Sequence, residues 1–365
     1  MKVIQVQTQA EAAGAQYISD ALGKGLRARG HDVRTVFLYR KTAAFDEDPF
    51  ADFLLKSPPR SVIEQLLAVV RLIPYLRRQK ADVVITFQHF GNVFGAIAAR
   101  LCGCRTVIAN QSGAPGWAGV ARWVEGADRL LGTVGAYSVN IVNSRWTQSA
   151  FDDFPAGYRR RLCLIPHGVE SSSGSISKAD ARRKFGLPLE GTLMLTAGRL
   201  AYQKNHLALI EPLRRLPYLS LAIAGAGPLE GEVRQAAARA GVSSRLFLLG
   251  EVAREEMSTF LSSGDVFVFP SLYETFGLAV VEAAIAGLPI VCSDLDVLRE
   301  VLSDDDGRST ATFVDFSAPA DVTIAISNAV SSSAENSQLR IYIAERYSMN
   351  KMVSGYQDLF PSNSV

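Results

Sequence analysis

Glu274 and Glu282 stand eight positions apart in Pro270-Ser-Leu-Tyr-Glu-Thr-Phe-Gly-Leu-Ala-Val-Val-Glu-Ala-Ala-Ile-Ala-Gly-Leu-Pro289, and from Thr275 to Ser293 the second is the only charged residue. A carboxylate in a helix that is apolar all round costs several kcal/mol unless hydrogen-bond donors reach it. That cost suggests a ligand. The preceding Asp265-Val-Phe-Val-Phe-Pro270 reads as a short buried strand, and Ser271 to Gly277 as the turn leading into the helix. Backbone N–H groups at such a helix start suit phosphate, and Gly277 permits close approach. Two acceptor-only carboxylates on either side of an anion site suit hydroxyl groups. One extended ligand with an anionic centre, such as a nucleotide-sugar, fits the layout.

A second group of residues bears on the same chemistry. Thr196-Ala-Gly-Arg-Leu-Ala-Tyr-Gln-Lys-Asn205 reads as a strand and a turn that puts Arg199 and Lys204 in one loop. Two fixed cations can neutralise a diphosphate and stabilise it as a leaving group, a task that a divalent metal performs elsewhere. Arg and Lys are common at surfaces, so their weight comes from the company of Glu274 and Glu282. Ile223-Ala-Gly-Ala-Gly-Pro-Leu-Glu230 is a strand followed by a Gly-x-Gly turn and a proline that opens a helix. Either it floors a nucleotide pocket at a strand end or it is a tight turn; without a third glycine it is no dinucleotide fingerprint. Asp294-Leu-Asp296 and Asp304-Asp-Asp306 read as solvated, cap-like turns, not a metal site.

Nearer the start, Ala12-Ala-Gly14-Ala15 follows the first strand and precedes a helix expected over 16–29. His89, in Gln88-His-Phe-Gly-Asn92, follows the strand expected over 83–87, the strand end at which open α/β sheets place ligands. A lone histidine is as readily structural as catalytic. Asn110-Gln111-Ser112-Gly113 follows the next strand and either offers donors to the same place or is a simple turn; His167 reads as part of a hinge.

These residues need elements to hold them. Short apolar runs alternate with helical segments: Val3–Val6, Val33–Leu38, Val83–Thr86, Thr106–Ala109 and Asn140–Asn143, then, after Gly168, Leu193–Thr196, Ser220–Ala224, Leu246–Leu249, Val266–Phe269 and Ile290–Cys292. Strands alternating with helices imply parallel sheets, and two series imply two Rossmann-like domains, as the length of 365 residues also suggests. The junction falls near Cys163–Glu170, before a polar serine-rich run, and a final helix is expected from Leu339 to Phe360.

Composition sets the outer limits. Residues 1–168 hold 21 Lys and Arg against 13 Asp and Glu, or +8, leaving −6 for the remainder. Such asymmetry implies different partners for the halves. Ser61–Lys80 is an apolar helical stretch ending in Arg77, Arg78 and Lys80. It either lies on an anionic membrane surface or faces the core with its terminal cations complementing the helix dipole. The four cysteines, Cys102, Cys104, Cys163 and Cys292, are too few and too irregular for a disulfide framework or a zinc site. The opening residues read as a strand and not a signal peptide, and no apolar stretch spans a bilayer. A cytoplasmic protein is expected.

Glu274-x7-Glu282 with Phe276-Gly277, Gly198-Arg199 with Lys204-Asn205, Gly225-x-Gly227-Pro228 and Pro166-His-Gly168-Val169-Glu170 together resemble the group 1, or family 4, retaining glycosyltransferases of the GT-B fold. The resemblance is specific from Pro166 to Phe316 and looser before it. It implies an α/β architecture of two Rossmann-like domains facing each other across a cleft. An acceptor-binding domain would span 1–168 with a C-terminal helix, 346–365, crossing back to it; a donor-binding domain would span 169–345. It further implies that Arg199 and Lys204 hold the diphosphate of a UDP- or GDP-sugar with the amides of Phe276, Gly277 and Leu278. Glu274 would meet the donor sugar and Glu282 the ribose, with Gly198, Asn205, Gly225, Gly227 and Thr275 completing the donor site. His89 would stand beside the donor sugar, making Glu274, His89, Arg199 and Lys204 the catalytic set. Gly14, His89, Asn110 and Gln111 would form the acceptor side.

The implied reaction retains anomeric configuration, needs no metal or cofactor, and transfers a hexose to a glycan or lipid-linked hydroxyl in polysaccharide, lipopolysaccharide or glycolipid assembly. The place of action would be the cytoplasm or the inner face of the membrane, with no nucleic acid involved. Ala12-Ala13-Gly14-Ala15-Gln16 departs from the family's pair of adjacent glycines followed by a small residue and Glu, and Pro-His-Gly replaces the commoner Asn-Gly. A non-catalytic nucleotide-sugar-binding subunit, or a phosphorylase or epimerase on the same fold, is the alternative.

Overall fold

The apolar runs become two sheets whose strands pair in parallel throughout. The computed structural model describes residues 1–361 apart from 12, 112, 117–120, 171–175, 310 and 332–336. The chain divides into two units, Met1–Gly168 with Tyr347–Val365, and Val169–Arg346. In the first unit the strands are β1 (Lys2–Ala10), β2 (Asp32–Arg40), β3 (Ala51–Leu55), β4 (Val83–Phe87), β5 (Thr106–Asn110), β6 (Val139–Val142) and β7 (Leu162–Leu164). Their order is β3-β2-β1-β4-β5-β6-β7. The second unit holds β8 (Thr192–Ala197), β9 (Leu219–Ala224), β10 (Leu246–Leu248), β11 (Val266–Phe269), β12 (Ile290–Ser293) and β13 (Ala311–Val314), ordered β10-β9-β8-β11-β12-β13.

In each unit the first three strands run one way and the fourth starts on the other side of the first. The order therefore reverses between β1 and β4 and between β8 and β11, and a doubly wound sheet opens a crevice at the carboxyl ends of such a pair. The strands beside the reversal are buried on both faces, as in β4 and β11, so they read as unbroken apolar runs. Three strands were not singled out in the sequence: β3, β7 and β13 all lie at sheet edges, are short and are only half-buried for most of their length.

Helices cover the sheets by their apolar stripes. Those used below are α1 (Gly14–Ala28), α2 (Val62–Gln79), α3 (His89–Leu101), α4 (Arg122–Val134), α5 (Leu278–Ile285), α6 (Ser337–Arg346) and α7 (Met349–Gln357). The Ser61 hydroxyl caps α2 by accepting from the Glu64 amide at 3.2 Å, and Lys80 ends it at φ 51°. Ala68, Leu72 and Leu76 on one face of α2 join Ile4, Val36 and Val84 in the core. Replacing Leu72 by Ala would cost about 2–5 kcal/mol.

The single helix expected from Leu339 to Phe360 is instead two. Ser348 is extended, at φ −69° and ψ 142°, and its hydroxyl accepts from the Lys351 amide, so it caps a new helix where the old one would have continued. That break divides α6, in the second unit, from α7, which packs on α1 in the first. Gly25 makes the α1–α7 approach close, since a Cβ there would stand 2.4 Å from Val353 Cγ2. Among the described residues no helix is long and apolar enough to cross a membrane.

Candidate functional site

In the second unit the loops after β8 and β11 emerge side by side at the reversal of strand order, and hydrogen bonds stitch them together. Leu272 N donates to Gln203 O at 2.8 Å, and Gln203 Nε2 donates back to Tyr273 O at 2.9 Å. This clamp brings Lys204 to Glu274, where ammonium and carboxylate form an ion pair. Lys204 Nζ also stands 4.9 Å from the centre of the Phe269 ring, a cation–π contact that further fixes it. Arg199 lies exposed in the same loop and, among the described residues, has no carboxylate partner. Gln203 was not singled out in the sequence; an amide between two loops leaves no pattern there.

The Gly-x-Gly turn after β9 packs against this loop, backbone on backbone. Gly198 N donates to Ala224 O at 2.9 Å and Leu200 N to Ala226 O at 3.0 Å. A Cβ on Gly225, at φ 151°, would lie 2.0 Å from Gly198 O, and one on Gly227 would lie 2.4 Å from Leu200 O. These glycines are required by close approach. The helix that follows starts at Glu230, two residues past Pro228, so the proline stands in the turn and does not open the helix.

Gly277, at φ 82°, is the N-cap of α5, and buried Phe276 precedes it. The first amides of α5, from Leu278, have no acceptor within the helix; Asn205, at φ 50°, and half-buried Thr275 flank the two loops. Glu282 is buried, as its surroundings implied, but its charge is already compensated: Arg254, from the loop after β10, donates Nη2 to Glu282 Oε1. The inference from burial to ligand is corrected to that extent, because a protein cation meets the desolvation cost. Polar atoms without a protein partner do remain at these strand ends, namely Thr196 Oγ1, Ser271 Oγ and His206 Nδ1.

The acidic runs resolve as turns. Asp294 pairs with Arg299, while Asp304 pairs with Arg308 and accepts the amides of Asp306 and Arg308 at 3.0 and 2.9 Å. Cys102 and Cys104 direct their sulfurs at the carbonyls of Ile73 and Thr106.

The first unit shows the same organisation at β1 and β4. Thr8 N donates to Gln88 Oε1 at 3.1 Å, and Gly91 N donates to Thr8 Oγ1 at 3.0 Å. Gln88 holds φ 63° and ψ 157°, a conformation that costs a non-glycine residue about 1–3 kcal/mol and collects at functional sites. His89 begins α3 directly after it, and burial lowers its pKa while the Asp128 and Glu125 charges oppose that shift. Gly14 is exposed at the start of α1, whose N-cap, Ala13, supplies no side-chain acceptor.

Asn110 and Gln111 are placed differently from expectation. Both are buried: Asn110 Nδ2 donates to the Tyr356 hydroxyl of α7, and Gln111 Nε2 lies 3.0 Å from Asp128 Oδ1 and 3.1 Å from Asn140 Oδ1. Tyr137 and Tyr158 also donate to Asp128, at 2.8 and 2.7 Å. These side chains hydrogen-bond within the unit. Ser112 and Ala12 lie outside the described residues. His167 is buried, its Nε2 accepting from Asn143 Nδ2 at 3.0 Å.

Comparison with known proteins accords with both units. The family model "Glycosyltransferase Family 4" matches residues 12–173, and "Glycosyl transferases group 1" matches residues 177–346. The chain is similar to the UDP-Gal:alpha-D-GlcNAc-diphosphoundecaprenol alpha-1,3-galactosyltransferase of Escherichia coli, with 27% identity over 65% of this chain and 64% of that protein. It is also similar to the phosphatidyl-myo-inositol mannosyltransferase of Mycolicibacterium smegmatis, with 32% identity over 47% of this chain and 43% of that one. The alignments thus span less than two thirds of these curated relatives. Among solved structures, Anabaena Alr3699/HepE in complex with UDP and glucose shares the fold with a TM-score of 0.82 and 16% identity, over 99% of this chain and 100% of that chain. With a family model on each unit and two doubly wound parallel sheets, the chain belongs to the group 1, or family 4, glycosyltransferases of the GT-B fold.

Proposed function

We propose that the protein is a retaining, metal-independent hexosyltransferase that moves a sugar from a UDP- or GDP-sugar to a hydroxyl of a glycan or lipid-linked acceptor. Polysaccharide, lipopolysaccharide or glycolipid assembly at the inner face of the membrane is the setting. One observation carries the reading: Lys204 and Glu274, from loops on either side of the strand-order reversal, meet as an ion pair, and exposed Arg199 stands in the loop that holds Lys204. The donor arrives at that crevice. Its diphosphate replaces Glu274 as the partner of Lys204 and takes up Arg199, which leaves Glu274 to accept from hydroxyls of the sugar. Arg199 and Lys204 then stabilise the departing diphosphate. Gly198, Asn205, Gly225, Gly227 and the backbone from Thr275 to Leu278 admit the donor closely, and Glu282 receives the ribose.

On the acceptor side Gly14 and His89 remain as the contacts, with His89 beside the donor sugar. The relatives support the substrate class: the E. coli enzyme is named for a UDP-sugar and a lipid diphosphate, and the Anabaena structure holds UDP and glucose. A second reading, a donor-binding subunit without transfer, is favoured by the Ala12–Gln16 departure and by the internal commitment of Asn110 and Gln111. UDP- and GDP-sugars should raise Tm, and donor hydrolysis and transfer should be measured with a panel of lipid-linked and glycan acceptors. No stabilisation by any nucleotide-sugar would sink the donor reading, and stabilisation without hydrolysis or transfer would leave the binding subunit. R199A and K204A should each lower kcat/KM by about 10²-fold or more; restoration by magnesium would count against metal independence. Intact turnover in E274A would remove Glu274 from the mechanism.

A further inference from the structure

Arg254 plays no part in the roles above, yet it reaches the carboxylate to which ribose recognition is assigned. In the sheet β10 stands three places from β11, with β9 and β8 between them. The loop leaving β10 nevertheless reaches the helix that follows β11. Arg254 opens the turn Arg254–Glu256 and donates from Nη2 to Glu282 Oε1 on α5. The same loop is tied to the glycine turn of β9, since Gly225 N donates to Gly250 O at 2.7 Å, and Gly225 in turn lies against Gly198. Arg254 thereby links the far edge of the candidate donor site to its floor.

The pair is asymmetric. The Glu282 side chain is 7% exposed and that of Arg254 is 31% exposed, so the carboxylate is the buried member and the guanidinium sits toward the rim. A carboxylate offers two oxygens and about four lone-pair sites, and Arg254 engages one oxygen. Such a charge-assisted bond fixes direction as well as charge. Among the described residues, Arg254 is the one side chain that hydrogen-bonds the Glu282 carboxylate, which otherwise stands on an apolar helix. We propose that Arg254 is a positioning residue for nucleotide recognition, holding Glu282 so that its second oxygen accepts from a ribose hydroxyl. This rests on the donor-site reading given under Proposed function. Its consequence is specific: the preference for a ribonucleotide over its 2′-deoxy form depends on Arg254 although Arg254 does not contact the sugar.

The test is calorimetric titration of the full chain and of R254A, R254K and E282A with UDP, GDP and ADP and their 2′-deoxy forms. The wild type should bind at least one ribonucleotide roughly tenfold or more tightly than the deoxy form, the scale of one hydrogen bond to a charged group. R254A should bind that ribonucleotide about tenfold more weakly while the deoxy form is unchanged, so that the preference collapses. R254K should keep most of it. A merely structural counter-ion would lower the melting temperature of R254A and leave the preference intact, which overturns the proposal, as does tighter ribonucleotide binding by R254A. If E282A loses the preference and R254A keeps it, Arg254 is excluded and the donor site stands. A wild type that binds none of the ribonucleotides ends both, and one that binds them without preference ends the Arg254 role.

Discussion

Glu282 lies on an apolar helix, where an unpaired carboxylate costs several kcal/mol, and Arg254 and Lys204 answer that cost for Glu282 and Glu274 respectively. The buried imidazoles take the opposite course and stay neutral. Burial lowers the pKa of His167 from 6.5 to about 4; it does the same to His206, where the Lys204 charge adds to it. For a histidine whose folded pKa lies below its unfolded one, the unfolded chain binds the proton first. The stabilisation is therefore whole above about pH 6.5 and is lost as pH falls toward 4, at most about 3 kcal/mol for each group. Melting temperature measured from pH 7.5 to 4 should fall across that window, and H206N should flatten the slope; an unchanged slope would remove His206 as a cause. Chemistry at this scale was half legible. The spacing of Glu274, Glu282, Arg199 and Lys204 pointed to loops that the Lys204–Glu274 pair does join, but Gln203, Gln88 and Arg254 leave no pattern because their partners lie in loops distant in the chain. Asn110 and Gln111 looked like donors at a strand end because sequence does not reveal that Tyr356 and Asp128 reach them first.

Elements come next, and here two glycines of one turn set how tightly β8 and β9 finish. Gly225→Ala would put a Cβ 2.0 Å from Gly198 O at a φ of 151°, against backbone that cannot rotate away. It should destabilise the protein by several kcal/mol and abolish the thermal shift given by a nucleotide-sugar. In the helix that follows, a Cβ added at Gly231 would meet nothing within 4 Å; Gly231→Ala should raise stability by about 0.5–1 kcal/mol. Calorimetric melts of both variants check the pair, and equal effects would refute the close-approach account. The elements themselves were largely legible, since strands buried on both faces need unbroken apolar runs. The short, half-buried edge strands β3, β7 and β13 escaped, although β10, of the same kind, was read; the break at Ser348 escaped because one hydroxyl decides it.

For the molecule as a whole, charge is divided, +8 over residues 1–168 and −6 over the rest. The apolar stretch ending at Lys80 is divided between buried and exposed positions in α2. Ala68, Leu72 and Leu76 are buried in the core, while Leu67 and Val70 are exposed, with Arg77, Arg78 and Lys80 at its end. The neighbouring α3 exposes Ile97 and Leu101. An apolar face flanked by cations adsorbs to anionic lipid in a salt-sensitive way. The protein should co-sediment with phosphatidylglycerol-rich vesicles at low salt and be released at about 0.5 M, where screening is strong. The triple change R77E, R78E and K80E should reduce that retention at least tenfold. Failure to sediment at low salt would remove the membrane surface from the proposed setting.

Sequence alone determined that this is a pair of parallel α/β sheets and singled out Arg199, Lys204, Glu274 and Glu282, because burial on both strand faces and fixed charges beside glycine turns leave local patterns. Tertiary structure decided which of those groups are already paired. Glu282 is held by Arg254, Glu274 by Lys204, and Asn110 and Gln111 by their own core. Pairing depends on the distance between loops far apart in the chain, and strand order, which periodicity does not encode, sets that distance.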